Sequence, residues 1–199
     1  MRKLLVAVLL LLISHSVIAQ FGPLKNLSLE EETQLMEHNS ICAYRNLYNK
    51  KQRLAFYPFN KTNRISIISF DNPVFEISGE IPVKNGILDK SLVKEKRNLS
   101  DTEINNLTDL LYNYGYRSKK YGVLISKGAC YDPHNAILFF NEKGKVIEYI
   151  EICFDCLGQR TSSRKIKTGE NCIEKFALLR GFFSSLGIKA GTATFKISD

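Results

Sequence analysis

The 199-residue sequence has one long apolar run, close to its start, and no second run of membrane-spanning length. It has no glycine-rich phosphate loop, no zinc-protease helix and no nucleophile-bearing serine turn, so three common routes to phosphoryl, metallo and acyl chemistry leave no trace. No internal repeat, low-complexity tract or Pro/Ser-rich linker divides the chain. No nucleic-acid-binding motif is visible, and nucleic acid is not an expected partner. These absences leave a single domain of ordinary size as the expectation.

The apolar run reads as an export signal. Arg2 and Lys3 precede the apolar stretch Leu4 to Ile13, and polar Ser14 to Ser16 lead to Val17, Ile18 and Ala19. A basic start, an apolar middle and a small residue at the cut are the order of a cleavable signal peptide. The run is shorter than the ~20 residues that span a bilayer. Residues 1–19 are therefore expected to be removed after Ala19, leaving residues 20–199 as one exported, soluble domain, secreted or periplasmic. No Cys follows the cut, so no lipid anchor is expected. Losing Arg2 and Lys3 takes the formal net charge from +8 to +6. The excess lies in small groups: Lys50, Lys51 and Arg53; Lys94, Lys96 and Arg97; Arg117, Lys119 and Lys120; Arg164, Lys165 and Lys167. Such a protein can meet anionic glycans, lipid head groups or cell-wall polymers. An anionic cell-envelope polymer or another exported protein is the expected kind of partner.

Three capping boxes announce helices. Ser28 with Glu31 predicts one over about residues 29–49. Ser100 with Glu103 predicts a second, with Ile104, Leu107, Leu110, Leu111 and Tyr114 on one face and Gly115 as its stop. Asn171 with Glu174 predicts a third, stopped by Gly187. Strands are predicted at Arg64–Phe70, Val74–Ser78, Gly122–Ser126 and Thr192–Ile197. The strongest signal is a β-hairpin of Ala136–Phe140 and Val146–Phe154, with Gly144 in the left-handed position of its turn. Both faces of these strands are apolar, which predicts a central hairpin covered on both sides. The reading is an α+β domain: a mostly antiparallel sheet with a central hairpin, packed by three helices.

Five cysteines occur: Cys42, Cys130, Cys153, Cys156 and Cys172. If Asn141 faces Lys145 across the turn, the same register sets Cys130 against Cys156 and His134 against Ile152. Cys130, His134, Cys153 and Cys156 are then expected at the open end of the hairpin. Three readings compete. In an oxidising compartment, a structural disulfide joins Cys130 to Cys156 or Cys153, and a second joins Cys42 to Cys172. Facing strand residues are about 4.5–5.5 Å apart, within bridging range. Alternatively the three thiolates and one imidazole hold zinc or copper. Finally, Cys153 and Cys156 exchange thiol for disulfide, although no βαβ context surrounds them.

Other constellations are weaker. Cys130 and His134 as nucleophile and base lack a helix start to lower the thiol pKa. His38 and Cys42 would share a face of the first helix. Glu148 and Glu151 point to opposite faces of a strand and make no acid/base pair. Asp132 and Asp155 meet at the hairpin base, where turn capping is the expected role. Arg160, Arg164, Lys165 and Lys167, in the polar stretch after the cluster, are candidate anion-binding residues. No catalytic set emerges, and the reading leans away from an enzyme toward a binding or structural module stapled by disulfides, with a metal or thiol-redox protein as the alternative.

Ala129-Cys130-Tyr131-Asp132-Pro133-His134, the hairpin and Ile152-Cys153-Phe154-Asp155-Cys156 together resemble a group of uncharacterised exported bacterial proteins, over about the C-terminal third of this chain. The resemblance carries no known activity. It implies a bacterial, exported origin and assigns no residue a role.

Overall fold

The computed structural model describes residues 27–72, 80–120, 122–124 and 131–193. In chain order its elements are α1 (Leu29–Ser40), β1 (Cys42–Tyr44), α2 (Lys50–Leu54), β2 (Arg64–Phe70), β3 (Val83–Lys84), β4 (Ile87–Leu88), β5 (Val93–Asn98), α3 (Asp101–Asn113), β6 (Tyr114–Tyr116), β7 (Asn135–Phe140), β8 (Val146–Cys153), β9 (Gly158–Thr161) and α4 (Lys175–Ser185). The chain divides into two units, the segment up to Leu35 and the segment from Met36 onward. In the first, the Ser28–Glu31 capping box forms: Ser28 N donates to the Glu31 carboxylate at 2.8 Å and Glu31 N to the Ser28 hydroxyl at 3.3 Å. All structure considered below belongs to the second.

Strands β5, β2, β7, β8 and β9 lie in that order in one sheet, every neighbouring pair antiparallel. With the helices beside it, this is an α+β fold. Alternation along each strand sorts side chains to two faces. Ile65, Ile67, Ile137, Phe139, Ile150 and Ile152 pack with Leu107 and Leu111 of α3 and Phe176, Leu179 and Phe183 of α4. On the other face Ile68, Phe70, Ala136, Leu138 and Phe140 meet Ile81, Val83 and Leu88 from the short β3–β4 arm. The hairpin is thus central and covered on both sides. Each fully buried Ile, Leu or Phe contributes about 1.5–3 kcal/mol.

The structure corrects three local expectations about helices. The helix foreseen over 29–49 is two helices divided by β1. Ser40 turns its hydroxyl back to the Met36 carbonyl (2.6 Å), and the chain leaves the helix to pair β1 with β6. Helix α2 then starts from its own capping box, Asn49 with Gln52. Helix α3 keeps the Ser100–Glu103 box but ends at Asn113, so Gly115 lies within β6. The Asn171–Glu174 box does not form: Glu174 accepts the Cys42 amide at 2.7 Å, Asn171 accepts from Gln159, and α4 begins at Lys175. Gly187, at φ +87°, ends α4 as expected.

The hairpin register also shifts. Phe140 faces Val146 but Phe139 faces Glu148, so Ile147 is an extra, bulged residue. Beyond it Asn135, rather than His134, faces Ile152. Residues 122–124 and 192–193 form no strand. The remaining parts of those two predicted strands, the strand Val74–Ser78, and the export signal with its cut at Ala19 lie outside the described residues.

Candidate binding cleft

The cysteines pair as Cys42–Cys172 and Cys153–Cys156, with Cα–Cα separations of 4.9 and 5.2 Å. The first ties β1 to the segment entering α4. The second replaces the expected staple from Cys130 to Cys153 or Cys156. Its cause is local: β8 turns over into β9 through residues 154–157, with Leu157 at φ +50° and Cys156 N donating to Cys153 Sγ at 3.1 Å. Cys130 lies outside the described residues. Two of the four sulfur and nitrogen donors foreseen for zinc or copper are therefore bonded to each other and are not thiolates. His134 is turned elsewhere, its ring nitrogens 3.3 Å from the Phe70 carbonyl and 3.1 Å from Asp132. Among the described residues no three metal-capable side chains gather. Cys153 and Cys156 are buried, at 2 % and 5 % exposure.

The residues of the other pairs take partners of their own. His38 meets Arg117, while Cys42 lies beyond the end of α1. Asp155 pairs with Arg180 at 2.6 Å, and Asp132 accepts from Asn72. The four anion-binding candidates take different environments. Arg160 stacks over the Tyr131 ring at 3.9 Å, Lys165 faces Glu148, Arg164 is exposed, and Lys167 lines a cleft described below.

The two strand carboxylates do point to opposite faces, and both are buried. Burial alone would raise the Glu148 pKa. The hydroxyls of Ser162, Tyr57 and Ser163, with Lys165 nearby, outweigh it and hold the group below its ordinary range. Its bond to Glu148, aided by burial, pushes Tyr57 up to about 12. Glu151 is less well served. Burial pushes its carboxyl up to about 7 against the opposing pull of Arg160 and Tyr131, and its Oε1 has no hydrogen-bond partner among the described residues.

One hollow with room for a small ligand lies at β1 and β6. A cleft of about 170 Å³ opens there, walled by Leu47, Tyr48, Phe56, Tyr112 and Tyr114. The rings interlock: Tyr48 meets Phe56 edge-on at 5.0 Å, and Phe56 meets Tyr112 at 4.7 Å. The Tyr112 hydroxyl is buried with no hydrogen-bond partner among the described residues, and burial raises its pKa. Arg45, Lys167 and Glu170 stand around the cleft. Glu170 is already committed, to Lys119 (2.7 Å), Arg45 (2.9 Å) and the Tyr116 amide (2.8 Å), and these contacts overcome its burial to hold its pKa low. Lys167 forms no ion pair among the described residues, so the lining and its immediate partners carry more positive than negative charge.

The walls are held from behind. Asn113 accepts the Tyr48 amide and donates to the Tyr48 carbonyl, both at 2.9 Å, and Arg53 donates to the same carbonyl at 2.6 Å. The Lys175 ammonium donates to the carbonyls of Leu110, Leu111 and Tyr114, the groups that a helix end leaves unpaired. Burial pulls this amine down to about 8, partly offset by Glu170, so it remains largely charged at neutral pH. A Cβ on Gly115 would lie 2.6 Å from the Glu170 carboxylate, so only glycine leaves that carboxylate its place. The sequence reading passed over this cleft, although Tyr44-Arg45-Asn46-Leu47-Tyr48 and Tyr112-Asn113-Tyr114-Gly115-Tyr116 are two tyrosine-rich segments that signal it. No family model, curated protein or solved structure matches this chain.

Proposed function

We propose that this is an exported, disulfide-stapled binding domain whose ligand is a small molecule with one ring and an anionic group, held in the cleft of Tyr48, Phe56, Tyr112 and Tyr114. The cleft itself carries the reading: aromatic walls fixed from behind, with a mouth whose one carboxylate is already neutralised. A volume of about 170 Å³ suits a single ring, since an apolar cavity of about 150 Å³ holds benzene. Few precisely placed polar groups in an apolar, preformed hollow are the usual form of a small-molecule site. Lys167 and the unspent donors of Arg45 would hold the anion. Two disulfides in a chain that opens on a signal-like segment support the export assignment.

The test is a titration of the folded, oxidised protein with benzoate and with benzyl alcohol, followed by NMR at the tyrosine rings. Benzoate should shift Tyr48, Tyr112 and Tyr114, and Lys167→Ser should weaken it about tenfold, the loss of one charge-assisted contact. Benzyl alcohol binding as well as benzoate would refute the anionic requirement alone. No shift from either ring at millimolar concentration would end the cleft reading.

A further inference from the structure

On the face of the sheet away from the long helices lies a set of cations that form no ion pair among the described residues. The Arg64 guanidinium stands 4.4 Å and the Lys96 ammonium 4.9 Å from the centroid of the same Phe140 ring. Lys90 is close enough, with Arg64, to disfavour the charge on Lys96, whose pKa is lowered by burial first and by these two neighbours next. The Arg64 head also reaches the hairpin turn, 3.9 Å from the Cβ position of Gly144. Beside that turn, Lys145 abuts Gly86, whose carbonyl accepts the Val146 amide at 2.9 Å. Gly86 and Asn85, at φ +75° and +52°, make the tight turn of the β3–β4 arm, where Lys84 sits opposite Ile87. Lys84, Lys90, Lys96, Arg64 and Lys145 are all exposed, and none forms an ion pair among the described residues. Of the carboxylates near them in sequence, Asp89 accepts from Ser91, Glu142 from Asn63, and Glu95 from Ser69 and the Lys189 and Ala190 amides.

Amid these cations Ile87 is 64 % exposed, at the tip of the arm. A polyanion in solution would use the cations and leave Ile87 in water. A lipid surface uses both, since basic side chains lie among the phosphates while an apolar tip enters the acyl boundary. We propose that the β3–β4 arm and the cations around Phe140 form a contact surface for an anionic lipid bilayer. Ile87 enters the boundary between head groups and chains, and Lys84, Lys90, Lys96, Arg64 and Lys145 lie among the head-group phosphates. No helix among the described residues is long and apolar enough to cross a membrane.

The sequence has no Trp, so Ile87→Trp supplies a fluorophore at the tip alone. The full mature chain carrying it would be mixed with vesicles of phosphatidylcholine, with and without about a third phosphatidylglycerol. The expected result is a blue-shifted emission with the anionic vesicles only, reversed by high salt. Cosedimentation should fall about tenfold for Ile87→Ser and further for the triple change Arg64→Ser, Lys90→Ser and Lys96→Ser. Changing exposed Lys51, Arg117 and Arg164 to Ser removes the same charge elsewhere, and should leave binding within about twofold. A sulfated polysaccharide that binds as well as the vesicles, with Ile87→Ser without effect, would identify a polyanion site and overturn the membrane assignment. Equal losses from the two triple variants, or no vesicle binding, would overturn it as well. Circular dichroism of each variant separates loss of fold from loss of contact.

Discussion

Glu151 shows what one residue can hide. Its strand face was legible in the sequence, because alternation sends positions 148 and 151 to opposite sides. Its burial was not, because Tyr131 and the arm bearing Glu80 and Ile81 come from distant segments. The groups facing it are Tyr131, Arg160, Glu80 and Tyr149. The native carboxyl titrates at about 7, above its ordinary value of 4.5. Between those values the folded protein keeps a proton that the unfolded chain releases, so this group's contribution is complete below 4.5 and is lost as pH rises through 7. At about 1.4 kcal/mol per unit, the loss by pH 8 is about 3 kcal/mol. Glu151→Gln should therefore stabilise the protein at pH 8 and leave it nearly unchanged at pH 4.5. Urea unfolding of both proteins at the two pH values measures the difference, in which the oppositely shifted Glu148 and Glu170 cancel. Lys175 is hidden in the same way, since nothing local in the sequence pairs it with the end of α3. Lys175→Met should cost about 3 kcal/mol by orphaning three buried carbonyls, with the same urea assay as the measure.

At the scale of the element, local chemistry was readable wherever it stayed local. Ser100 and Glu103 cap α3 because both partners lie within one turn, and Arg64–Phe70 forms β2 because its apolar run fits a strand buried on both faces. Prediction failed where a distant group competed. Glu174 had the right spacing for a cap, but the amide of Cys42, brought near by the Cys42–Cys172 bridge, takes its carboxylate. The bulge at Ile147 depends on how β7 and β8 meet, which strand patterning alone does not specify. Ser100→Ala should accordingly cost about 1 kcal/mol, while Asn171→Ala should cost well under that, because only the first removes a cap. Comparable losses in thermal unfolding would mean that Asn171 does more than accept from Gln159. Gly169 sets a sharper case. At φ +74°, its Cβ would run into the Leu111 carbonyl, in the helix end that also supports the cleft, so Gly169→Ala should destabilise far more than either.

Over the whole molecule, the α+β class and the central hairpin follow from patterns along the chain, whereas the cleft arises from two tyrosine-rich segments about seventy residues apart, joined through β1 and β6. The bridge from Cys42 to Cys172, with a sequence separation of 130, anchors one side of that junction. Its loop spans most of the chain, so the chain-entropy account gives it about 5 kcal/mol, against about 2 kcal/mol for the three-residue separation of Cys153 and Cys156. The two pairs should therefore behave differently. Cys42→Ser with Cys172→Ser should lower stability by several kcal/mol and abolish benzoate binding, since β1 carries the chain into Arg45, Leu47 and Tyr48. Cys153→Ser with Cys156→Ser should leave the cleft able to bind and lower stability less. Denaturant titration with a parallel NMR binding assay measures both. A thiol count comes first: the two bridges take four of the five cysteines, so alkylation without reductant should label one. Three labelled cysteines would mean that one bridge is absent in solution, and identifying which peptides carry the label decides between a loosened junction and an open Cys153–Cys156 turn. The first outcome undermines the fixed cleft and the second leaves it intact, because the Cys153–Cys156 turn contributes no side chain to its walls.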